Sequence, residues 1–203
     1  MTFPSSAEEA PVRRRGLPSA GRLIAAGLLV VVVAIVVAWL LPPLGTGQAG
    51  AAVGPPGSEQ DADPETGAAQ IKFVPSGEIR FGVEVRNTTF LPVVIEGLRG
   101  GRWVIEDVHL ILGVDPNLLS LDDEHVRAFE RTTLNPGASQ FIGVVGRFPT
   151  CPNARPNWAT GITATFTALR FDVRVAGLLP AEADVQLLQA VELVGDADVA
   201  CPR

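Results

Sequence analysis

Residues 77–87 read Gly-Glu-Ile-Arg-Phe-Gly-Val-Glu-Val-Arg-Asn. Ile79, Phe81, Val83 and Val85 alternate with Glu78, Arg80, Glu84 and Arg86. A period of two puts the apolar side chains on one face of a β-strand and the charged ones on the other. Turn chemistry bounds the stretch, with Pro75-Ser76-Gly77 before it and Asn87-Thr88-Thr89 after it. Residues 77–87 are therefore expected to form a half-buried strand, and the rest of the chain from Gln70 onward carries the same signal.

Residues 91–98 are rich in β-branched side chains and end at Gly100-Gly101. Val104, Val108, Leu110 and Leu112 share a face in the next run. Asn135-Pro136-Gly137 introduces a strand over 140–148. Ile162, Ala164 and Phe166 alternate with threonines, and Leu169, Phe171, Val173 and Val175 continue in the opposite phase. Such a slip inside a continuous strand pattern predicts a β-bulge near Ala168. Val185, Leu187, Val191 and Leu193 supply a last strand. Leu118, Leu121, His125 and Phe129 could make a short helix over 117–129. There is no internal repeat. Seven or eight strands with turns at short intervals imply an all-β domain over 70–203. The expected form is a two-sheet, immunoglobulin-like sandwich, with a barrel as the alternative.

The N-terminal third is different. Residues 23–41 contain no charged residue and no proline. As a helix they would extend roughly 28 Å at ~1.5 Å per residue, close to the ~30 Å hydrocarbon core of a bilayer. Arg13, Arg14, Arg15 and Arg22 precede the segment, and no Lys or Arg follows until Lys72. That asymmetry predicts a cytoplasmic N-terminus, a basic tail over 1–22 and an extracytoplasmic remainder. A core helix would carry a polar face, which this segment lacks. A cleaved signal peptide is the rival. Its apolar region is ordinarily shorter, though small residues follow at Ala49-Gly50-Ala51. Residues 42–69 are Pro-, Gly- and Ala-rich and end in an acidic run, Glu59, Asp61, Asp63 and Glu65. They read as a disordered linker that spans roughly 30 Å and lifts the domain off the membrane.

The chain has 203 residues, 47% of them hydrophobic, and a net charge of −6. Beyond residue 22 it holds 12 basic and 20 acidic residues, a balance that disfavours nucleic acid as a partner. The two cysteines, Cys151 and Cys201, both lie on the expected outer side, and in an oxidising compartment they should pair. A redox pair would favour a Cys-x-x-Cys arrangement, which the chain lacks.

Candidate chemistry is sparse, and no cofactor is implied. His109 lies in a strand run and His125 follows Asp122-Asp123-Glu124, an acidic run that could attract calcium but reads more simply as a solvated loop. No Gly-x-Ser-x-Gly, His-Glu-x-x-His or Walker motif occurs. Asn87-Thr88-Thr89 matches the glycosylation sequon. Trp158 lies in the turn-rich stretch Pro152-Asn153-Ala154-Arg155-Pro156-Asn157, just after Cys151. It could cover the disulfide or close one end of the core. Alternatively Arg155 and Trp158 could form a partner-binding loop, since Arg and Trp are enriched in binding hot spots.

The chain resembles a loose group of uncharacterised single-pass exported membrane proteins of high-GC Gram-positive bacteria. Gly77 to Asn87, Pro92-Val93-Val94-Ile95, Leu134-Asn135-Pro136-Gly137 and the terminal Cys201-Pro202 carry the resemblance. It implies a sandwich with a cysteine pair and no particular activity. The expected function is a membrane-anchored, non-enzymatic interaction or assembly module of the cell envelope with a protein partner. The alternative is a small-ligand or ion-binding accessory domain for a transporter or sensor.

Overall fold

A computed structural model describes residues 20–40, 42–58, 60–99, 104–113, 121, 123–151, 158, 161–195 and 201. The chain divides into two compact units between Val37 and Ala38. In the first unit begins helix α1, Ala20–Leu40. Its described large apolar side chains, from Leu23 at 61% to Val36 at 49%, are about half exposed or more. Among the described residues no helix is long and apolar enough to cross a membrane. A membrane span over 23–41 is an expectation from the sequence.

The second unit is a two-sheet β-sandwich. Its strands are β1 (Leu44–Val53), β2 (Gln60–Ala62), β3 (Ala69–Lys72), β4 (Glu78–Asn87), β5 (Val93–Leu98), β6 (Glu106–Gly113), β7 (Val126–Ala128), β8 (Thr132–Leu134), β9 (Ser139–Arg147), β10 (Gly161–Val175) and β11 (Leu179–Gly195). One sheet has the order β1-β4-β9-β6-β7 and the other β2-β3-β11-β10-β5-β8. All pairings are antiparallel except β3 with β11.

The period of two in 77–87 acts as expected. Ile79, Phe81, Val83 and Val85 are fully buried between the sheets. They meet Leu110, Leu112, Ile142 and Val144 from their own sheet and Ile95, Phe171, Val173, Val185 and Leu193 from the other. The bulge expected near Ala168 is present, because Phe166 faces Val191 whereas Ala168 faces Gln186. Four β11 residues, 187–190, therefore oppose Thr167 alone. The expected short helix does not form as read. Residues 117–120 and 122 lie outside the described residues, 123–125 is a turn, and 126–128 is β7.

The expected linker is corrected. Residues 42–69 contribute β1, β2 and the first residue of β3. Together with short β7 and β8 they raise the count to eleven described strands, above the seven or eight expected. Composition misled because β1, LGTGQAGAAV, is built of small residues. They are small because neighbours press on the strand. A Cβ on Gly45 would lie 2.8 Å from the Thr88 methyl, and one on Gly50 3.3 Å from Leu188 Cβ. One on Gly47 would collide with the Glu84 carboxylate.

Glu84 is what closes a bulge in β1. Thr46 pairs with Val85 and Gly50 with Val83, so Gly47, Gln48 and Ala49 stand opposite Glu84 alone. The Glu84 carboxylate replaces the missing ladder, accepting from the Gln48 N–H at 2.7 Å and from the Ser139 hydroxyl. The Ser139 hydrogen bond, with those from the Gln48 and Ala49 N–H groups, outweighs desolvation and holds the Glu84 pKa below the usual carboxylate value. A depressed folded pKa adds stability that is present above the unfolded carboxylate range and is lost as pH falls through the folded value. Glu84→Gln is expected to lower stability at neutral pH by on the order of 1–2 kcal/mol, the scale of a charge-assisted hydrogen bond. The gap between parent and variant should close in acid. Denaturant titrations at pH 7 and pH 3 check this, and an equal gap at both would assign Glu84 no such role.

Candidate groove on the five-stranded sheet

The outer faces of the two sheets differ. That of the six-stranded sheet carries ion pairs: Arg170 with Asp184 at 2.5 and 2.8 Å, Arg174 and Arg131 with Glu96, and Arg99 with Glu182. These partners are mostly about half exposed, and such pairs contribute little beyond solubility. The outer face of the five-stranded sheet instead holds a second apolar cluster. Ala49, Ile111, Phe141 and Val145 are covered there by Leu121, which is 3% exposed.

Beside this cluster lies a groove of about 330 Å³. Ile111, Val126, Ala128 and Val145 form its apolar floor and walls. Glu78, Arg80, His109, Asp123 and Arg127 supply its polar groups. Four strands, β4, β6, β7 and β9, and the segment before β7 bring these side chains together. Arg80 is central. Its Nε binds Glu78 at 2.7 Å, and its Nη1 binds Asp123 Oδ1 at 2.7 Å and the Leu121 carbonyl at 2.8 Å. Partial burial opposes its charge, but the bonds to Asp123 and Glu78 prevail and raise its pKa above the ordinary guanidinium value. Arg80 is thus a fixed cation that pins the segment around 121–123 onto the sheet. It cannot exchange a proton at physiological pH.

His109 is aimed by a bulge. The β6–β9 register shifts between Glu106 and His109, and Asp107 has a φ of 54°. That left-handed conformation is uncommon for a non-glycine residue and least costly for Asn or Asp. The Asp107 carbonyl lies 2.9 Å from His109 Nδ1, so Nδ1–H donates there and Nε2 of the neutral tautomer is an acceptor. Arg127 makes no ion pair among the described residues. The groove therefore combines an apolar floor, an ion-paired guanidinium at Arg80 and the exposed guanidinium of Arg127. Such a surface suits acceptor groups, carboxylates or backbone carbonyls, laid over an apolar contact.

The sites expected from sequence fare differently. Cys151 and Cys201 form a disulfide, with Cα atoms 5.5 Å apart. Arg155 lies outside the described residues. Trp158 is 1% exposed, and its ring lies 4.8 Å from that of Phe73 and 5.1 Å from that of Phe148. Burial against Phe73 and Phe148 makes Trp158 a core residue and not an exposed partner-binding one. The sequon is not available either. Asn87 is 1% exposed, and its Nδ2 donates to the carbonyls of Leu91 and Leu134. Of the acidic run, Asp122 lies outside the described residues and Asp123 is committed to Arg80. No group of three or more His, Cys, Asp or Glu suited to a metal occurs among the described residues.

Sequence reading missed the groove because its polar residues look like ordinary outward positions. Arg80 and Glu78 sit on the solvent side of the alternation in β4. Only the pairing of β4, β9, β6 and β7 in one sheet brings them to His109 and Arg127. No protein-family model and no curated protein matches the chain.

Proposed function

We propose that the chain is a single-pass membrane protein whose β-sandwich works outside the membrane as a non-enzymatic interaction module of the cell envelope. The N-terminus is cytoplasmic, the helix is retained as the anchor, and the groove beside Arg80 is the recognition site. The groove is the observation that carries this reading. Its exposed cation, Arg127, beside an apolar floor is suited to holding a partner. Its edges argue the same way. Three of the four sheet-edge strands, β2, β7 and β8, have three residues each, and the fourth, β1, is bulged. Short and bulged edges resist strand addition, which leaves the groove as the more suitable contact.

Support for the anchor comes from residues 23–41, free of charge, with the arginines on one side only. The exposed apolar side chains of α1 fit lipid better than water. The disulfide fits an oxidising compartment. The immunoglobulin-like type of the sandwich is a finer reading that we keep within this proposal. A small-ligand accessory domain is the second reading. The groove's volume lies at the lower end of the ~300–1,000 Å³ of ligand pockets, and its open form suits a segment of a protein better.

A photo-crosslinking residue in place of Ala128, which also lines the groove, is expected to capture an envelope protein in intact cells, and one in place of Arg174, on the other sheet, is not. Arg127→Glu should weaken that capture by on the order of tenfold, about 1–2 kcal/mol. Equal capture from both positions, or from neither, contradicts the groove as the recognition site.

A further inference from the structure

We propose that the end of the sandwich at which the chain enters β1 is a membrane-contact surface, with Phe90 and Leu178 reaching the headgroup region of a lipid bilayer. The inference rests on the anchored reading above and adds to it a defined face and two contact residues.

Three turns meet at this end. Thr88, in the β4–β5 turn, receives the entering chain, its N–H and hydroxyl donating to the carbonyls of Pro43 and Pro42. The β8–β9 turn is tied to Asn87 through the Gly137 N–H, and the β10–β11 turn to Pro92 through the Ala176 N–H. The tips of two of these turns are apolar. Leu178 is 78% exposed, the most exposed large apolar side chain among the described residues, and Phe90 is 54% exposed. A single exposed leucine is ordinary. Two at adjacent turn tips on one end are less so.

Composition sharpens the point. Residues 42–53, 87–93, 132–138 and 175–181 contain no Asp, Glu, Lys or Arg. The opposite end holds Lys72, Glu78, Glu106, Asp107 and Arg147. In a domain with an acidic excess, three uncharged turns at one end are a departure that water does not require. The β10–β11 turn makes the same point locally. Ala176 and Gly177 have φ of 53° and 70°, conformations that hairpin turns commonly assign to Asn or Gly. Alanine stands where a polar residue would fit the backbone better, so the tip is Ala-Gly-Leu.

The occupant follows from chain length. Only residues 41–43 separate the last helical residue from β1. If 23–41 span a bilayer, the end that receives Pro42 and Pro43 is the end nearest the lipid. Uncharged turns with apolar tips are suited to that boundary, and charged ones would be held away from it by desolvation. The acidic residues Asp61, Asp63 and Glu65 follow β1 and lie a strand's length along the chain from its start.

Both cysteines are in the disulfide, so single cysteines introduced at 90, 178 or 188 take a nitroxide label selectively. Leu188 is the control. It is 53% exposed and lies in the β11 bulge just beyond Gln186, on the order of 25 Å from Leu178 at ~3.3 Å per residue. The full chain is reconstituted into phosphatidylcholine–phosphatidylglycerol vesicles and floated on a density gradient. Label accessibility to oxygen, which concentrates in lipid, is then compared with accessibility to a water-soluble nickel chelate. The expected result is an oxygen-to-nickel ratio severalfold higher at 90 and 178 than at 188. A chain that floats with labels at 90 and 178 as water-accessible as at 188 overturns this inference and leaves the anchor standing. A chain that does not float overturns the anchor and this inference with it.

Discussion

Replacing Trp158 with alanine is expected to lower the stability of the sandwich by about 3–5 kcal/mol, the scale of a buried aromatic removed from a packed core. Trp158 is 1% exposed and wedged between Phe73 and Phe148, and those two rings meet edge-on at 5.4 Å. Gly195 at the end of β11 leaves no room for adjustment, because a Cβ there would lie 2.6 Å from Phe73 Cβ and 3.1 Å from Trp158 Cε3. The three rings thus fill a space that no neighbour can occupy instead. Trp158 Nε1 is buried and has no hydrogen-bond partner among the described residues. A phenylalanine would keep part of the volume without that unsatisfied donor. Trp158→Phe should therefore lose less than half as much as Trp158→Ala. Denaturant titration of the detergent-solubilised chain gives both values. An intact Trp158→Ala protein that only fails to capture its partner would return Trp158 to the binding loop.

Opening the disulfide is the second large change. Cys151 and Cys201 are 50 positions apart. In the chain-entropy model, a loop of that length constrains the unfolded state by about 4 kcal/mol. Both cysteines pack in the same core as Trp158. The double change Cys151→Ser and Cys201→Ser is expected to lower stability by a comparable amount, and reductant acting on the parent should do the same. Trp158 and the disulfide belong to one core cluster, and a triple variant that loses less than the sum of the separate losses would show that they couple there. A loss below about 1 kcal/mol on opening the bridge would mean that it adds little to the fold.

The parts of the fold legible in the sequence are those where a local period coincides with a tertiary face. Residues 77–87 alternate because one side of β4 meets the other sheet. The phase change near Ala168 is visible because it moves every following side chain to the other face. The disulfide was legible from cysteine count and expected compartment. What failed did so for identifiable reasons. Strand β1 is nearly all Gly, Ala and Thr, a composition shared with flexible linkers. Its order comes from Glu84 in its bulge and from the pressure of Thr88 and Leu188, contacts far away in sequence. Trp158 follows turn residues that suggest a surface loop, and only Phe73 and Phe148, from other elements, draw it inward. The groove depends on four strands meeting, and no single strand carries its signature.

The central claim is that the chain crosses the membrane once and presents the sandwich outside. A membrane-impermeant maleimide applied to intact cells tests it directly. The parent has no free cysteine among the described residues, so labelling reports only the introduced positions Ser5→Cys, in the N-terminal tail, and Leu188→Cys, at an exposed point of β11. The account predicts that position 188 labels in intact cells and that position 5 labels only after lysis, on a chain of the same full length. Labelling of position 5 in intact cells, or protection of position 188 until lysis, would contradict it.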